Sequence, residues 1–343
     1  MSKVSVIVPA YQAEATLRRT LHSVLEQTHG DLEILVINDG SADNTLKVAE
    51  EIASSDKRIK LFGHDNAGVA ASRNLGIERA TGEFIAPIDA DDIWHPRKLE
   101  MQLARLAQAG PQVGLVYNWY RAVNAQDHVR LASASPCVEG YCLHRHLAYN
   151  FIGNGSTPLI RRSALGDLRY EPNLALADAG GCEDYLLQLQ IAKRWEFALV
   201  PAWLTGYRKA GYTMSSDSAR MIRSHVAVFE LLRDSVPDSA RNVIRRRLAR
   251  LHIEYVADRL RRHKPAEALA ALDQGIRQAP LGFPRNVLEE CVAEIRRTFI
   301  DRHGDSFEAY AFDQPDGSWA DKFASIMKKL ETFDRRVAGL ATA

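Results

Sequence analysis

The sequence predicts an α/β protein with a doubly wound, mostly parallel sheet, followed by a helical region at the C-terminal end. Short β-rich runs alternate with helical segments through about the first 120 residues, and this alternation is typical of right-handed crossover connections. One of the runs, Ile34 to Ile37, is nearly continuously apolar, as expected for a parallel strand buried on both faces. From about Ser218 the strand pattern ends and helical spacing takes over.

Each predicted element has its own local signal. The strands are short β-rich runs: Val4 to Val8, Ile34 to Ile37, Ile59 to Phe62, Phe84 to Ile88 and Val113 to Tyr117. The helices between them are marked by apolar residues at helical spacing: Leu17, Leu21, Val24 and Leu25; Leu46, Val48, Ala49 and Ile52; residues 68–80; and Leu99, Leu103 and Leu106. Ser41 and Asp43 are candidate caps, and Pro96 suits a first helical turn.

The C-terminal region contains at least two further amphipathic helices. Their apolar positions are Ile244, Leu248, Leu251 and Tyr255 in the first, and Leu269, Leu272 and Ile276 in the second. We place the boundary of this helical region, residues 218–343, where the strand pattern ends.

Length and composition describe an ordinary globular chain. Its 343 residues exceed the usual size of one domain, and 46% of them are apolar and 25% charged. The formal net charge of +1 gives no reason to expect a nucleic acid as partner. Because the four cysteines do not make a disulfide framework, and no run resembles a signal peptide or is long enough to span a bilayer, we expect a cytoplasmic protein.

Acidic residues follow the predicted strands at the place where doubly wound sheets bind ligands, beyond the carboxyl ends of the strands. After the fourth strand, Asp89 and Asp91 lie on the same side of an extended segment, so that their carboxylates repel each other. Mg²⁺ or Mn²⁺, held by one or two carboxylates and a diphosphate, would relieve this repulsion. Alternatively, Asp92 and its neighbours only cap the helix that begins near Pro96.

Four other residues are candidates because of their positions, and each has a plain structural alternative. Asp39 follows the second strand in a turn-forming stretch, and Tyr11 follows the first strand, where it either stacks on a base or packs. Arg73 lies on the third helix, where a surface ion pair would explain it as well. Asp184 lies beside Glu183 at the start of a helix, a position that the helix dipole favours for acids.

Three stretches of the sequence carry a resemblance to a known family: VSVIVPAYQAEATL, VINDGSADNT and DNAGVAASRNLGIERATGEFIAPIDADDIW. Together they resemble the inverting family 2 glycosyltransferases, which have the A-type nucleotide-sugar transferase (GT-A) fold. The motifs occur in the order of the family over about the first 95 residues. Pro87 departs from the pattern, because the family more often has an aliphatic residue at that position of the strand.

The resemblance implies a set of residues that bind the donor: Pro9, Tyr11, Asp39, Arg73, Asp89 and Asp91. Tyr11 and Asp39 would hold the nucleobase, and Arg73 would face the diphosphate. Asp89 and Asp91 would be the DxD element of the family, which contacts the ribose and the metal. The cofactor would then be Mn²⁺ or Mg²⁺, and the donor a nucleotide-sugar such as a UDP-sugar.

The resemblance also implies a catalytic base. The family has a Glu-Asp pair about ninety residues after its DxD element, and Asp184 matches the second acid of that pair, which usually acts as the base. Tyr207, Arg208 and residues 211–215 resemble the loop that closes over the donor in the family. The implied domains are a catalytic domain at 1–217, with a nucleotide-sugar half at 1–115 and an acceptor half at 116–217, and the helical region at 218–343.

These implications predict a metal-dependent glycosyltransferase that acts on a hydroxyl of a glycan, lipid-linked or other acceptor. Two other functions stay open: a nucleotidyltransferase that makes nucleotide-sugars, and a non-catalytic scaffold that acts through its helical tail. An NAD-dependent oxidoreductase is excluded because no G-x-G-x-x-G follows the first strand.

The last predicted helix has one wholly apolar face, formed by Trp319, Phe323, Ile326, Leu330, Phe333 and Val337. Basic residues lie beside this face, as on helices that bind an anionic membrane surface or pair with a second helix. We therefore expect peripheral membrane association or a homodimer through the C-terminal helices. The alternative is that the face packs on the helical region of the protein itself.

Overall fold

The strands and helices of the computed structural model follow the alternation that the sequence predicts. The structure describes residues 2–131, 135–176, 179–209, 217–278, 327–328 and 330–336. The strands are β1 (Val4–Ala10), β2 (Leu32–Asp39), β3 (Ile59–His64), β4 (Phe84–Pro87), β5 (Ile93–Trp94), β6 (Val113–Val123), β7 (Val129–Leu131), β8 (Leu159–Arg161) and β9 (Glu196–Arg208). The helices are α1 (Leu17–Leu25), α2 (Thr45–Ala53), α3 (Val69–Arg79), α4 (Lys98–Ala109), α5 (Leu143–Ala148), α6 (Arg162–Leu165), α7 (Asn173–Leu176), α8 (Glu183–Ala192), α9 (Ser218–Leu232), α10 (Asp238–Arg261) and α11 (Pro265–Gln278).

The strands form one sheet of mixed direction. Within the residues described, it has nine strands in the order β3-β2-β1-β4-β8-β6-β9-β5, with β7 paired to β6. β3, β2, β1 and β4 are parallel, whereas β8 runs antiparallel between β4 and β6. The expected α/β fold with a C-terminal helical region is therefore confirmed. The sequence does not predict the antiparallel insertion, because β8 has only three residues and carries no periodic signal.

Helices cover both faces of the sheet, as the continuous apolar strands require. Val4, Val6 and Val8 of β1 point to the face covered by α1, α2 and α4. Ile7 points to the opposite face, where it packs in a cluster that includes residues of α3, α8, α9 and α10. This alternation has the period of two that a strand imposes on its side chains.

The C-terminal helices share the core of the sheet. Phe229 of α9 and Leu248 of α10 are fully buried in the same cluster as Ile7. The boundary that we predict near residue 218 coincides with the first residue of α9. Because no gap in the core marks this point, the division into two domains stays a prediction.

Helix α11 forms as its spacing predicts, but two of its three large apolar side chains, Leu269 and Ile276, are exposed. Ala268 and Ala271 are buried, whereas Leu269 is 67% exposed and Ile276 is 45% exposed. Small residues allow the two helices to pack closely, so the leucine and isoleucine lie on the outer side of α11. Among the residues described, no helix is both long enough and apolar enough to cross a membrane.

Part of the last predicted helix packs on α5. Trp319, Phe323, Ile326 and Val337 of its apolar face lie outside the described residues, whereas Leu330 and Phe333 belong to a helical segment at 330–336. Phe333 stacks on His144 of α5, with 5.7 Å between the ring centroids. Asp334 is buried and accepts hydrogen bonds from the His144 backbone N–H at 2.7 Å and from Arg145 Nε at 2.8 Å. The carboxylate of Asp334 thus binds the start of α5, a helix about 190 residues earlier in the sequence.

Replacing Asp334 with alanine should destabilise the protein. The change leaves Arg145 and the first N–H groups of α5 buried without their partner, and removing one member of a buried ion pair costs about 3–5 kcal/mol. Urea unfolding, followed by circular dichroism, measures the loss. The exposed pair between Glu331 and Arg335, on the same segment, provides the control: Glu331→Gln should cost about 0.5 kcal/mol or less. Equal stability of Asp334→Ala and the wild type would contradict this packing.

Candidate active site

The parallel strands bring three loops to one edge of the sheet. β1, β2 and β4 are neighbours in parallel register, so the segments that follow Ala10, Asp39 and Pro87 emerge side by side. The first two of these loops are also tied together, since the Ala13 N–H donates to Thr45 Oγ1 at 2.7 Å. The donor-side residues that we expect from the sequence therefore lie along one edge.

The residues expected at the nucleobase differ in how accessible they are. Pro9 is buried inside β1, whereas Tyr11, just beyond the strand, is 53% exposed. Asp39 is buried, and its two carboxylate oxygens accept hydrogen bonds from the backbone N–H groups of Ala67 and Gly68, at 2.8 and 3.0 Å. Asp39 thus holds the chain at the start of α3, where the helix dipole favours a negative charge. A contact between Asp39 and a base would come in addition to these bonds.

Arg73 of α3 lies at the centre of the acidic residues. Its guanidinium is buried and donates a hydrogen bond from Nη2 to Asp89 Oδ1, and it lies 5.2 Å from the ring of Tyr170. Burial by itself lowers the pKa of Arg73, but the negative charges of Asp89, Asp184 and Glu183 raise that pKa above its usual value. Within the described chain, its buried Nε atom has no hydrogen-bond partner. One donor of a permanent cation is therefore left unsatisfied among the described residues.

Asp91 and Asp92 have different environments. Burial raises the pKa of Asp91 to about 6, and the negative charge of Asp89 adds to this shift. Asp92 is fully buried and accepts hydrogen bonds from Ser156 Oγ and from the Arg208 backbone N–H, the latter at 2.9 Å. The alternative interpretation, that Asp92 caps a helix, is wrong: α4 begins at Lys98 without a side-chain cap, and Asp92 instead binds the strand end at β9 and the loop before β8.

The loop before β8 forms hydrogen bonds with the acidic residues. Ser156 accepts a hydrogen bond from the Asp89 N–H at 3.0 Å, and Asn154 Nδ2 lies 3.3 Å from Asp92 Oδ2. Both side chains are buried, and both form hydrogen bonds with the acidic loop. Between them, Gly155 faces the site: a Cβ atom built on it would lie 3.1 Å from Arg73 Nη2 and 3.5 Å from Asp184 Oδ2.

Asp184 comes to the same place from the first turn of α8. Burial raises the pKa of its carboxyl to about 6; the charge of Arg73 opposes the shift, and those of Glu183 and Asp89 add to it. Asp184 Oδ1 accepts a hydrogen bond from the Tyr185 N–H at 2.8 Å. Glu183, in contrast, binds the Gly181 N–H at 2.9 Å and stabilises the turn before the helix. Of Glu183 and Asp184, it is therefore Asp184 whose carboxylate lies near the Arg73 guanidinium.

Two members of this cluster carry no functional signal in the sequence. Gly155 lies in a run of Gly, Asn and Ser that indicates only a loop, and Tyr170 is an isolated aromatic residue. Of the segment that resembles the loop over the donor, Tyr207 and Arg208 are the last residues of β9, and residues 211–215 lie outside the described part.

Comparison with known proteins identifies the family. The model of glycosyl transferase family 2 matches residues 5–169. An uncharacterized glycosyltransferase of Haemophilus influenzae is 40% identical over 180 residues, which cover 52% of this chain and 69% of that protein. The chain belongs to glycosyltransferase family 2.

Other glycosyltransferases match over a shorter region of the sequence or in the fold alone. The Escherichia coli protein named UDP-Glc:alpha-D-GlcNAc-diphosphoundecaprenol beta-1,3-glucosyltransferase is 43% identical over 123 residues, 35% of this chain. The match spans only 47% of that relative, less than half of its length. Among solved structures, a mannosyltransferase of Pyrobaculum calidifontis, in complex with GDP-Man and Mn²⁺, has a TM-score of 0.54 at 20% identity, over 87% of this chain and 83% of that one. This similarity confirms the A-type fold of the family 2 chain.

Replacing Asp184 with asparagine should stabilise the ligand-free protein at neutral pH. The carboxyl has a pKa of about 6 in the folded protein and an ordinary value of 3.8, so folding opposes its ionisation. The stability gained by Asp184→Asn should therefore grow as the pH rises from about 4 to about 6 and stay constant above that. Thermal melting from pH 5 to pH 8 tests this.

The control for this experiment is an acid on the surface. Asp234 is 90% exposed, so Asp234→Asn should leave the melting temperature unchanged over the same range. A constant difference between Asp184→Asn and the wild type from pH 5 to pH 8 would show that Asp184 is not a buried acid.

Proposed function

We propose that this protein is an inverting glycosyltransferase, which transfers a sugar from a UDP-sugar to a hydroxyl group of a glycan or lipid-linked acceptor. The observation that carries the proposal is the position of Asp184, a carboxyl with a pKa of about 6 beside the buried cation Arg73. Such a carboxyl is ionised at neutral pH and still basic enough to accept a proton.

The proposed reaction is a single displacement. The acceptor oxygen attacks the anomeric carbon, its proton passes to Asp184, and the bond from the anomeric carbon to the diphosphate oxygen breaks. The electron pair of that bond leaves with the diphosphate. Because the acceptor oxygen attacks from the side opposite the leaving group, the configuration of the sugar inverts. Arg73 supports the departure of the diphosphate, since its guanidinium keeps its positive charge in the site.

Tyr11, Asp39 and Pro9 form the proposed nucleobase end of the donor site. Tyr11 is exposed at the strand edge, where its ring is free to stack on a base. Asp39 and Pro9 are buried next to it on β2 and β1, and they fix the backbone against which the base would lie.

A divalent cation, Mn²⁺ or Mg²⁺, is the cofactor that we propose. Within the described residues, no group of three or more His, Cys, Asp or Glu residues could hold a metal, so the protein offers Asp89 and Asp91 rather than a complete cage. Two carboxylates that repel each other fit these ions, which take their other ligands from diphosphate and water. When bound, the cation would stabilise negative charge on the leaving diphosphate. The Mn²⁺ complex of the P. calidifontis protein, which shares the fold, supports this choice.

The acceptor and the location are also proposals. The name of the E. coli relative gives a UDP-sugar donor and an acceptor linked to diphosphoundecaprenol, which supports a lipid-linked acceptor here. The reaction would then take place in the cytoplasm at the inner face of the membrane, with the C-terminal helices as the region that contacts the membrane or a second copy. Hydrolysis of a UDP-sugar in the presence of Mn²⁺ would distinguish an enzyme from a scaffold.

Asp91→Ala should abolish the metal-dependent part of UDP binding, because Asp89 alone, already paired with Arg73, does not replace two carboxylates. Calorimetric titration of UDP with and without Mn²⁺ measures this. Asp273→Ala, which removes an exposed acid from α11, should bind like the wild type. If Asp91→Ala keeps the full effect of Mn²⁺ on UDP affinity, the metal assignment is wrong.

Asp184→Asn should lower kcat by roughly 10²-fold or more and leave the affinity for UDP nearly unchanged, because the base acts in transfer and not in donor binding. In the wild type, kcat should rise with pH up to about 6 and then level off, since Asp184 must be ionised to accept a proton.

The neighbouring acid supplies a matched control for Asp184. Glu183→Gln keeps the acceptor oxygen for the Gly181 N–H, so kcat should change by only about 3-fold. The loss of its charge should shift the pH profile of kcat to lower pH, because Glu183 raises the pKa of Asp184. Parallel loss of UDP affinity and kcat in Asp184→Asn would show that Asp184 binds the donor and is not the base.

A further inference from the structure

Arg208, the last residue of β9, contacts two consecutive residues of the acidic loop. Its backbone N–H donates to Asp92 Oδ1 at 2.9 Å, and its Nε donates to the carbonyl oxygen of Asp91 at 2.7 Å. The side chain is only 5% exposed. The bond from Arg208 Nε thus holds the backbone of Asp91, the residue whose carboxylate we assign to the metal.

The other side of the same guanidinium binds the turn between β6 and β7. Nη1 donates to the carbonyl oxygen of Asn124 at 2.6 Å, and Nη2 donates to Asp127 Oδ1. Asp127 Oδ2 in turn accepts a hydrogen bond from Arg19 Nε of α1 at 2.8 Å. All three nitrogens of the Arg208 guanidinium therefore have oxygen partners within the protein. This differs from Arg73, whose Nε is left without one among the described residues.

The planar guanidinium makes this arrangement specific to arginine. Its donors point in fixed directions, so Asp127 on one side and the Asp91 carbonyl on the other set the orientation of a single rigid group. A lysine ammonium is one point charge on a flexible stem and does not span both partners. Asp127 is held in turn by Arg19, so the acidic loop is connected to α1 and to the β6–β7 turn.

We propose that Arg208 and Asp127 are positioning residues, which act as a clamp on the acidic loop and set the affinity of Asp89 and Asp91 for a divalent cation and a nucleoside diphosphate. The part of this inference that concerns the cation rests on the proposed function. Neither residue touches the substrate: Arg208 acts through the backbone of Asp91 and the carboxylate of Asp92, and Asp127 acts through Arg208.

The test uses a variant that removes the carboxylate without straining the backbone. Asp127 has φ = 63°, a left-handed conformation that glycine adopts freely, so Asp127→Gly loses only the side chain. Arg208→Lys is a second variant, which keeps a positive charge and loses the planar group. Asp334→Ala is the matched control: it also breaks a buried carboxylate–arginine pair and should lower stability, but its partners, His144 and Arg145, lie on α5 and not on the acidic loop.

Two measurements decide the inference. In the ligand-free full-length protein, amide hydrogen exchange of residues 89–92 should be faster in Asp127→Gly and Arg208→Lys than in the wild type, and unchanged in Asp334→Ala. Titration with UDP and Mn²⁺, followed by the electron paramagnetic resonance of Mn²⁺, should show affinity about 10-fold weaker in both clamp variants, the usual scale for residues that orient metal ligands. Asp127→Asn, which keeps one acceptor oxygen, should fall between Asp127→Gly and the wild type.

The outcomes separate this inference from the proposed function. Exchange at residues 89–92 that stays at the wild-type rate in both clamp variants would overturn the clamp, and so would equal acceleration in Asp334→Ala. If the wild type itself binds UDP without any effect of Mn²⁺, the metal assignment fails, and the exchange rates of the ligand-free variants still decide whether the clamp holds the loop.

Discussion

The repulsion among the acids of the site, and its compensation by one buried arginine, is the constraint on which the rest of this structure depends. Asp89, Glu183 and Asp184 all raise the pKa of Arg73, and Asp89 raises the pKa of both Asp91 and Asp184. Holding these carboxylates together costs free energy that the rest of the fold must supply. Burial, with this repulsion added, raises the pKa of Asp91 and of Asp184. In the reaction that we propose, an acid with a raised pKa is a better base, and two repelling acids favour a cation.

The supporting contacts around the site explain how this arrangement is kept. The loop before β8 binds Asp89 and Asp92 through Ser156, and Arg208 holds the backbone on the other side. Each of these side chains is buried and hydrogen-bonded, so it fixes geometry rather than binding ligands. Gly155 is the exception, since its missing side chain leaves room for Arg73 and Asp184 to lie close together.

The C-terminal helices contribute to the same framework. They share a core with α8, the helix that carries Asp184, so their packing helps to place the proposed base. Tyr185, next to the base, donates a hydrogen bond from its hydroxyl to the carbonyl oxygen of His146 on α5 at 2.7 Å. Asp334 holds the start of α5 from the far end of the chain. The helical region therefore stabilises α5 and α8 in their places against the sheet.

The sequence by itself determined the parallel strands, their helices and the loops that carry Asp39, Asp89 and Asp91, because these follow from local periodicity and from motifs of adjacent residues. Only the tertiary structure decided what each side chain does. It showed that Asp92 binds β9 and the loop before β8, that Arg73 pairs with Asp89, and that Leu269 and Ile276 of α11 face outward. The partners of Asp92 lie 64 and 116 residues away in the chain. Contacts of this kind leave no periodic signal, since they depend on which strands and loops become neighbours, as the antiparallel β8 illustrates.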